Sequence, residues 1–154
     1  MLKRPIFLFV IILLFLSGCA SATQESVYES LDLKIKLTMT DPGTVSISAG
    51  LHNGGRFEYL GEDENSGTLT ILDGKGDNRV VGEIESFGQI GADETFYPLT
   101  YGLTVEPGTY QVIFSAQDKP PLEMQFEIVD EDGSLYLYAP QEYIDPFTAF
   151  TKSN

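Results

Sequence analysis

Tryptophan is absent from this chain of 154 residues, histidine and cysteine occur once each, and basic residues are scarce, with nine Lys and Arg against 23 Asp and Glu. Each shortage removes a class of function. One cysteine, Cys19, makes no intrachain disulfide and no zinc-thiolate cluster, so the core stands on packing alone. One histidine, His52, leaves no second imidazole for a metal pair, and with no Gly-x-Ser-x-Gly elbow a serine triad lacks its framework. Beside Asn53-Gly54-Gly55, His52 reads as a surface residue at a strand end. The missing tryptophan weakens a sugar-stacking platform. The formal charge of −14 repels nucleic acid and anionic lipid head groups, because phosphate binding needs a basic stripe. Beyond the first thirty residues no stretch sustains a 3.6-residue apolar period over three turns, which leaves little room for helices.

What is present begins at the start of the chain. Lys3-Arg4 is followed by an eleven-residue apolar run, Ile6 to Leu16, and then by Leu16-Ser17-Gly18-Cys19. A basic pair, a short apolar core and small residues before a cysteine resemble a bacterial lipoprotein signal, in which a dedicated peptidase cuts before the cysteine and leaves it acylated. The run is too short to cross a bilayer, which takes roughly 20 residues. The expectation is a signal peptide at 1–18, a lipidated Cys19 with a polar tether to residue 30, and a domain on the extracytoplasmic face of a bacterial membrane. Cleavage would remove Lys3 and Arg4 and no acidic residue, so attachment must come from acyl chains. The lipid bilayer is thus one expected partner.

From Leu31 the pattern has period two. Leu31, Leu33, Ile35, Leu37 and Met39 alternate with polar residues, and Val45, Ile47, Ala49 and Leu51 repeat the motif after an Asp41-Pro42-Gly43 turn. Further strands are predicted at Thr68–Leu72, Arg79–Ile84, Thr95–Leu99, Thr109–Ala116, Glu123–Val129 and Leu135–Tyr138. Turn signals separate them at Asn53–Gly55, Asp73–Asn78, Glu106–Gly108, Asp118–Pro121 and Asp130–Gly133. The only helical hint is Asp145-Pro146, a capping pair that predicts one turn over Asp145–Phe150. This makes an all-β antiparallel sandwich, with the domain at 31–139 and an aromatic tail at 140–154 packed on it.

The segment Leu103-Thr104-Val105-Glu106-Pro107-Gly108-Thr109-Tyr110 resembles the corner before the penultimate strand of bacterial immunoglobulin-like domains. A tyrosine at this place can bond its hydroxyl back to the corner while its ring packs between sheets. Leu51–Gly55, Ile71–Gly76 and Gly91–Thr95 resemble, in the same order, segments of the BsuPI intracellular proteinase inhibitor family. The resemblance implies an immunoglobulin-like sandwich of seven to nine strands and raises proteinase inhibition as an alternative activity.

Asp73–Asn78 imitates the start of a calcium loop, but Lys75 occupies the third position, Asn78 the sixth and Ile84 the twelfth, where the loop needs a ligand, a glycine and a glutamate. Glu62–Asn65 and Asp130–Asp132 are dense in charge without ligand spacing. No metal, no cofactor and no catalytic residue is expected, and a carbohydrate-active hydrolase is the weakest alternative. The surface left for a partner is aromatic: Phe57 and Tyr59 after the double glycine, and Tyr143, Phe147 and Phe150 in the tail. Packing is the competing reading for each of them. The function expected is a non-enzymatic binding or accessory module of the cell envelope, its partner an envelope protein or polymer.

Overall fold

Alternation of buried and exposed side chains marks strands where one face meets a core, as in β1, β4, β8 and β9, and the described residues hold eleven strands in all. The structure, a computed structural model, describes residues 30–61, 66–75, 78–116 and 119–153, and only the backbone at 78–81. Cys19, the signal-like segment, residues 20–29, the acidic run Glu62–Asn65 and Asp118 lie outside the described residues. The strands are β1 (Leu31–Asp41), β2 (Thr44–Asn53), β3 (Tyr59–Leu60), β4 (Gly67–Leu72), β5 (Asn78–Ile84), β6 (Gln89–Ile90), β7 (Glu94–Thr104), β8 (Gly108–Ala116), β9 (Leu122–Glu131), β10 (Ser134–Ala139) and β11 (Thr151–Ser153). The surplus over seven to nine comes from three short pieces, β3, β6 and β11.

One sheet has the order β1-β2-β7 and the other β11-β10-β9-β8-β4-β5, with β3 and β6 forming a small ribbon of their own. The chain therefore changes sheet between β2 and β4, between β5 and β7, and again between β7 and β8. Neighbours pair antiparallel throughout, except that β11 runs parallel to β10. This is an immunoglobulin-type sandwich, with β1, β2, β4, β5, β7, β8 and β9 as its seven principal strands. Between the sheets, Ile35, Leu37, Met39, Val45, Ile47 and Ala49 face Leu69, Ile71, Val112, Phe114, Phe126, Ile128 and Leu137, all within 3% of complete burial.

Turn chemistry sets the corners. Pro42-Gly43 closes β1 on β2, with Gly43 at φ 96°, and Asp132-Gly133 closes β9 on β10 with φ 55° and 85°, the two-residue type I′ geometry that matches strand twist. At the β7–β8 corner the Tyr110 hydroxyl donates to the Glu106 carbonyl and accepts from the Glu106 N–H, each at 3.0 Å. Its ring stacks on Phe126 at 5.0 Å. This is the tyrosine corner of such sandwiches, where the sequence places it.

The one-turn helix predicted over Asp145–Phe150 is not formed. Ile144 is extended and bridged in parallel to Leu37, and Asp145 N–H donates to the Leu37 carbonyl at 3.0 Å, so the backbone ahead of Pro146 is already committed to the edge of β1. A residue before proline favours the extended region in any case. The Asp145 carboxylate instead accepts the Phe147 N–H at 2.9 Å, an Asx turn. The only helical residues among those described are the 3₁₀ turn Gln141–Tyr143, which follows Pro140.

Beyond that turn the tail joins the two sheets. Phe150 N–H donates to Met39 on β1 at 3.3 Å, and its carbonyl accepts from Leu137 on β10 at 2.9 Å. Lys152 then holds β11 in place: its ammonium pairs with Glu131, lies 4.3 Å from the Tyr136 ring centroid, and shares Glu131 with the Tyr138 hydroxyl. The Lys152 hydrogen bond, and after it that of Tyr138, lowers the Glu131 pKa, while Glu131 raises that of Lys152. The pair is half-exposed and screened by solvent, so it fixes geometry more than it stabilises.

Candidate binding surfaces

Asn53, the last residue of β2, organises one end of the sandwich. Its side chain is completely buried. The amide nitrogen donates to the Phe57 carbonyl at 2.8 Å and the Ile90 carbonyl at 3.2 Å, while Oδ1 accepts the Gly55 N–H at 3.0 Å and the Ser30 hydroxyl at 3.3 Å. Gly54 N–H donates to the Ser30 carbonyl at 3.1 Å. One side chain thus fastens the start of β1, the turn after β2 and the β6 strand to one another. The loop is held at its far side too, by Tyr59 and Leu60 paired with Ile90 and Gln89 and by Gly61 N–H on Gly88.

On this loop the side chains part company. Tyr59 is 5% exposed and closes the core beside Ile90 and Phe87, whereas Phe57 is 62% and Leu60 56% exposed. The expectation that Phe57 and Tyr59 act together, either both inward or both on the surface, is therefore corrected. Residues 54–58 are irregular, and inward–outward alternation resumes only at Tyr59.

The tail divides in the same way. Tyr143 and Phe150 are half-buried against the core, and Phe150 lies 6.0 Å from Tyr136, ring to ring. Phe147 is 92% exposed. Its backbone is not loose, because Asp145 accepts its N–H and accepts again, through the main-chain carbonyl, from the Thr148 N–H at 3.3 Å and hydroxyl at 3.0 Å. Asp145 is in turn ion-paired to Lys36 at 3.3 Å, and the Lys36 ammonium lies 4.9 Å from the Tyr97 ring centroid. The Phe147 amide first, and then Lys36, holds the Asp145 carboxyl below its usual range. Burial, and then Asp145, raises the Tyr97 phenol.

The five aromatics named from the sequence do not form one surface. The Phe57 loop sits at the Leu31 end of β1 and the Phe147 turn against Leu37 to Met39, six to eight positions along, about 20–27 Å at strand rise. Two separate exposed sites result, one ring on each. Leu60, next to Tyr59, adds a second exposed apolar side chain to the first site. From the sequence, Asn53 reads only as turn chemistry.

Elsewhere, His52 shares a 3.0 Å hydrogen bond with the Thr95 hydroxyl and stands 3.8 Å from Asp93. Among the described residues no group of three or more His, Cys, Asp or Glu converges on a point where a metal ion would sit. At the end remote from Phe57, a hollow of about 510 Å³ lies between Asp73–Lys75 and the Glu106–Tyr110 corner. There Asp73 accepts the Lys75 N–H at 3.0 Å, an Asx turn, while Gly76 and Asp77 of the calcium-loop-like segment lie outside the described residues. The sequence matches no protein-family model, and no curated protein matches it.

Proposed function

We propose that this protein is a non-enzymatic binding module of the bacterial cell envelope, held to the extracytoplasmic face of a membrane through acylated Cys19 and taking an envelope protein or polymer as its partner. The observation that carries the binding role is Phe147. An aromatic ring 92% exposed, on a turn fixed by Asp145 and anchored through Lys36, is a pre-ordered apolar anchor, and such rings dominate interface energetics when a partner buries them. The anchor rests on Lys3-Arg4, the Ile6–Leu16 run and Leu16-Ser17-Gly18-Cys19, and eleven residues separate Cys19 from the first strand of the immunoglobulin-type domain.

Both halves of the reading are testable in cells. Cys19→Ala is expected to leave an uncleaved, unacylated precursor, read by intact mass; normal processing and release of that variant would sink the anchor. Phe147→Ala is expected to weaken crosslinking to the envelope partner at least about tenfold, as loss of a central aromatic contact does, with the melting temperature unchanged. An unaltered crosslinking pattern would remove Phe147 from the binding surface. A protease captured and silenced through that contact would turn the module into an inhibitor.

A further inference from the structure

The chain reaches the sandwich from Cys19 at one defined place. Ser30 bonds Gly54 and Asn53, so the incoming backbone and the turn bearing Arg56, Phe57 and Leu60 are fastened at the same point. Residues 20–30 span at most about 35 Å, whereas the opposite end of the sandwich lies a further β1 length away, again about 35 Å. Phe57 and Leu60 are more than half exposed, and Arg56 beside them is exposed as well.

We propose that the Arg56–Leu60 loop is a membrane-contact loop, with Phe57 and Leu60 seated at the head-group boundary of the bilayer that holds Cys19 and Arg56 at the lipid phosphates. The inference rests on the lipid-anchor reading. A loop fastened by Asn53 and the β3–β6 ribbon has little order left to lose on contact. Two side chains are too few to bring a free protein to a membrane. They suffice once the anchor turns contact into an intramolecular step at a local concentration in the millimolar range. The acidity of the chain rules out general electrostatic adsorption, so the contact favours zwitterionic lipid, and exposed Glu58 keeps it shallow. Phe147 stands too far up β1 to share this contact and stays free for a partner.

The absence of tryptophan supplies the assay, because Phe57→Trp introduces a single indole. The full chain is made in bacteria, extracted in detergent and reconstituted into phosphatidylcholine vesicles, with Phe147→Trp as the control at the other site. The expected result is blue-shifted emission from position 57 that brominated acyl chains quench, with water-like emission from position 147. Amide exchange over residues 55–61 of the unaltered chain slows on the same vesicles. Intact mass separates the two ideas. An acylated protein whose position-57 indole is as open to aqueous iodide as that at 147 overturns the membrane contact and leaves the anchor standing, a result pointing Phe57 toward a protein. A chain without acyl groups overturns both.

Discussion

Replacing Asn53 by alanine is expected to lower the stability of the domain by about 3 kcal/mol, the largest loss from any single polar side chain described above. The magnitude follows from what the side chain leaves behind. Its amide satisfies the Phe57 and Ile90 carbonyls and its oxygen the Gly55 N–H, at a position with no solvent exposure, and alanine offers none of them a partner. Each buried polar group so stranded costs roughly 1–3 kcal/mol, and the value stays near the low end because Phe57 lies close enough to the surface for water to reach its carbonyl. Asn53→Asp provides a check with a sign. An ionised carboxylate would face two carbonyl oxygens, whereas the protonated acid can donate to one of them. The folded state therefore holds that proton more tightly than the unfolded chain, so the stability of this variant relative to the parent is highest in acid and falls as pH rises through the carboxyl titration. Urea denaturation monitored by circular dichroism reads both effects. A loss below 1 kcal/mol for the alanine variant, or a pH-independent aspartate variant, would show that water already serves those carbonyls.

Gly50→Ala is expected to be as damaging, through sterics. A Cβ at Gly50 would stand 1.9 Å from the Phe96 carbonyl oxygen and 2.8 Å from the Phe96 carbonyl carbon and the Tyr97 Cα, all of them backbone. No rotamer change relieves such a contact. The β2–β7 register breaks here: Ala49 faces Leu99 and Leu51 faces Phe96, so Tyr97 and Pro98 together oppose the single residue Gly50, a bulge of one extra residue that closes over the glycine. The Tyr97 ring from this bulge lies 4.9 Å from the ammonium of Lys36 on β1, which also pairs with Asp145 of the tail. A methyl group at residue 50 must push β7 away, break that pairing and dislodge the ring, at about 3 kcal/mol or more, the upper end of overpacking costs. The midpoint of urea unfolding measures it at unchanged slope. A shift equivalent to less than 1 kcal/mol would mean that the bulge relaxes freely.

These two residues also mark the boundary of what the sequence discloses. Period-two alternation locates the long strands because each has one buried face, and the Pro-Gly and Asp-Gly turns place their corners. Gly50 carried a signal, since an isolated glycine inside a strand suggests a bulge, but its outward position in the alternation hid it. Asn53 carried none. A strand-end asparagine before two glycines is ordinary turn chemistry, and its burial depends on Ser30, Phe57 and Ile90, which meet only in three dimensions. The two-residue strands β3 and β6 exist through pairing and have no period of their own. Of the aromatic surface, composition indicated that a tail rich in rings must cover something, as Tyr143 and Phe150 do. It gave no means of telling them from Phe147, whose exposure follows from the Asp145 turn reversing the chain at that residue.

The bridge at the tail bears on how the domain reaches its native state. Leu37 and Met39 on β1 find their edge partners at Asp145 and Phe150, more than a hundred positions downstream. Contacts of such separation close late, because the intervening loop must lose its entropy before they return anything. Until they close, the outer edge of β1 is an unpaired strand with open N–H and carbonyl groups, a template for another copy of itself. Residues 144–150 therefore act as an internal stopper against strand-to-strand association, and the interval before they dock is when this acidic, disulfide-free domain relies most on its own charge to keep copies apart.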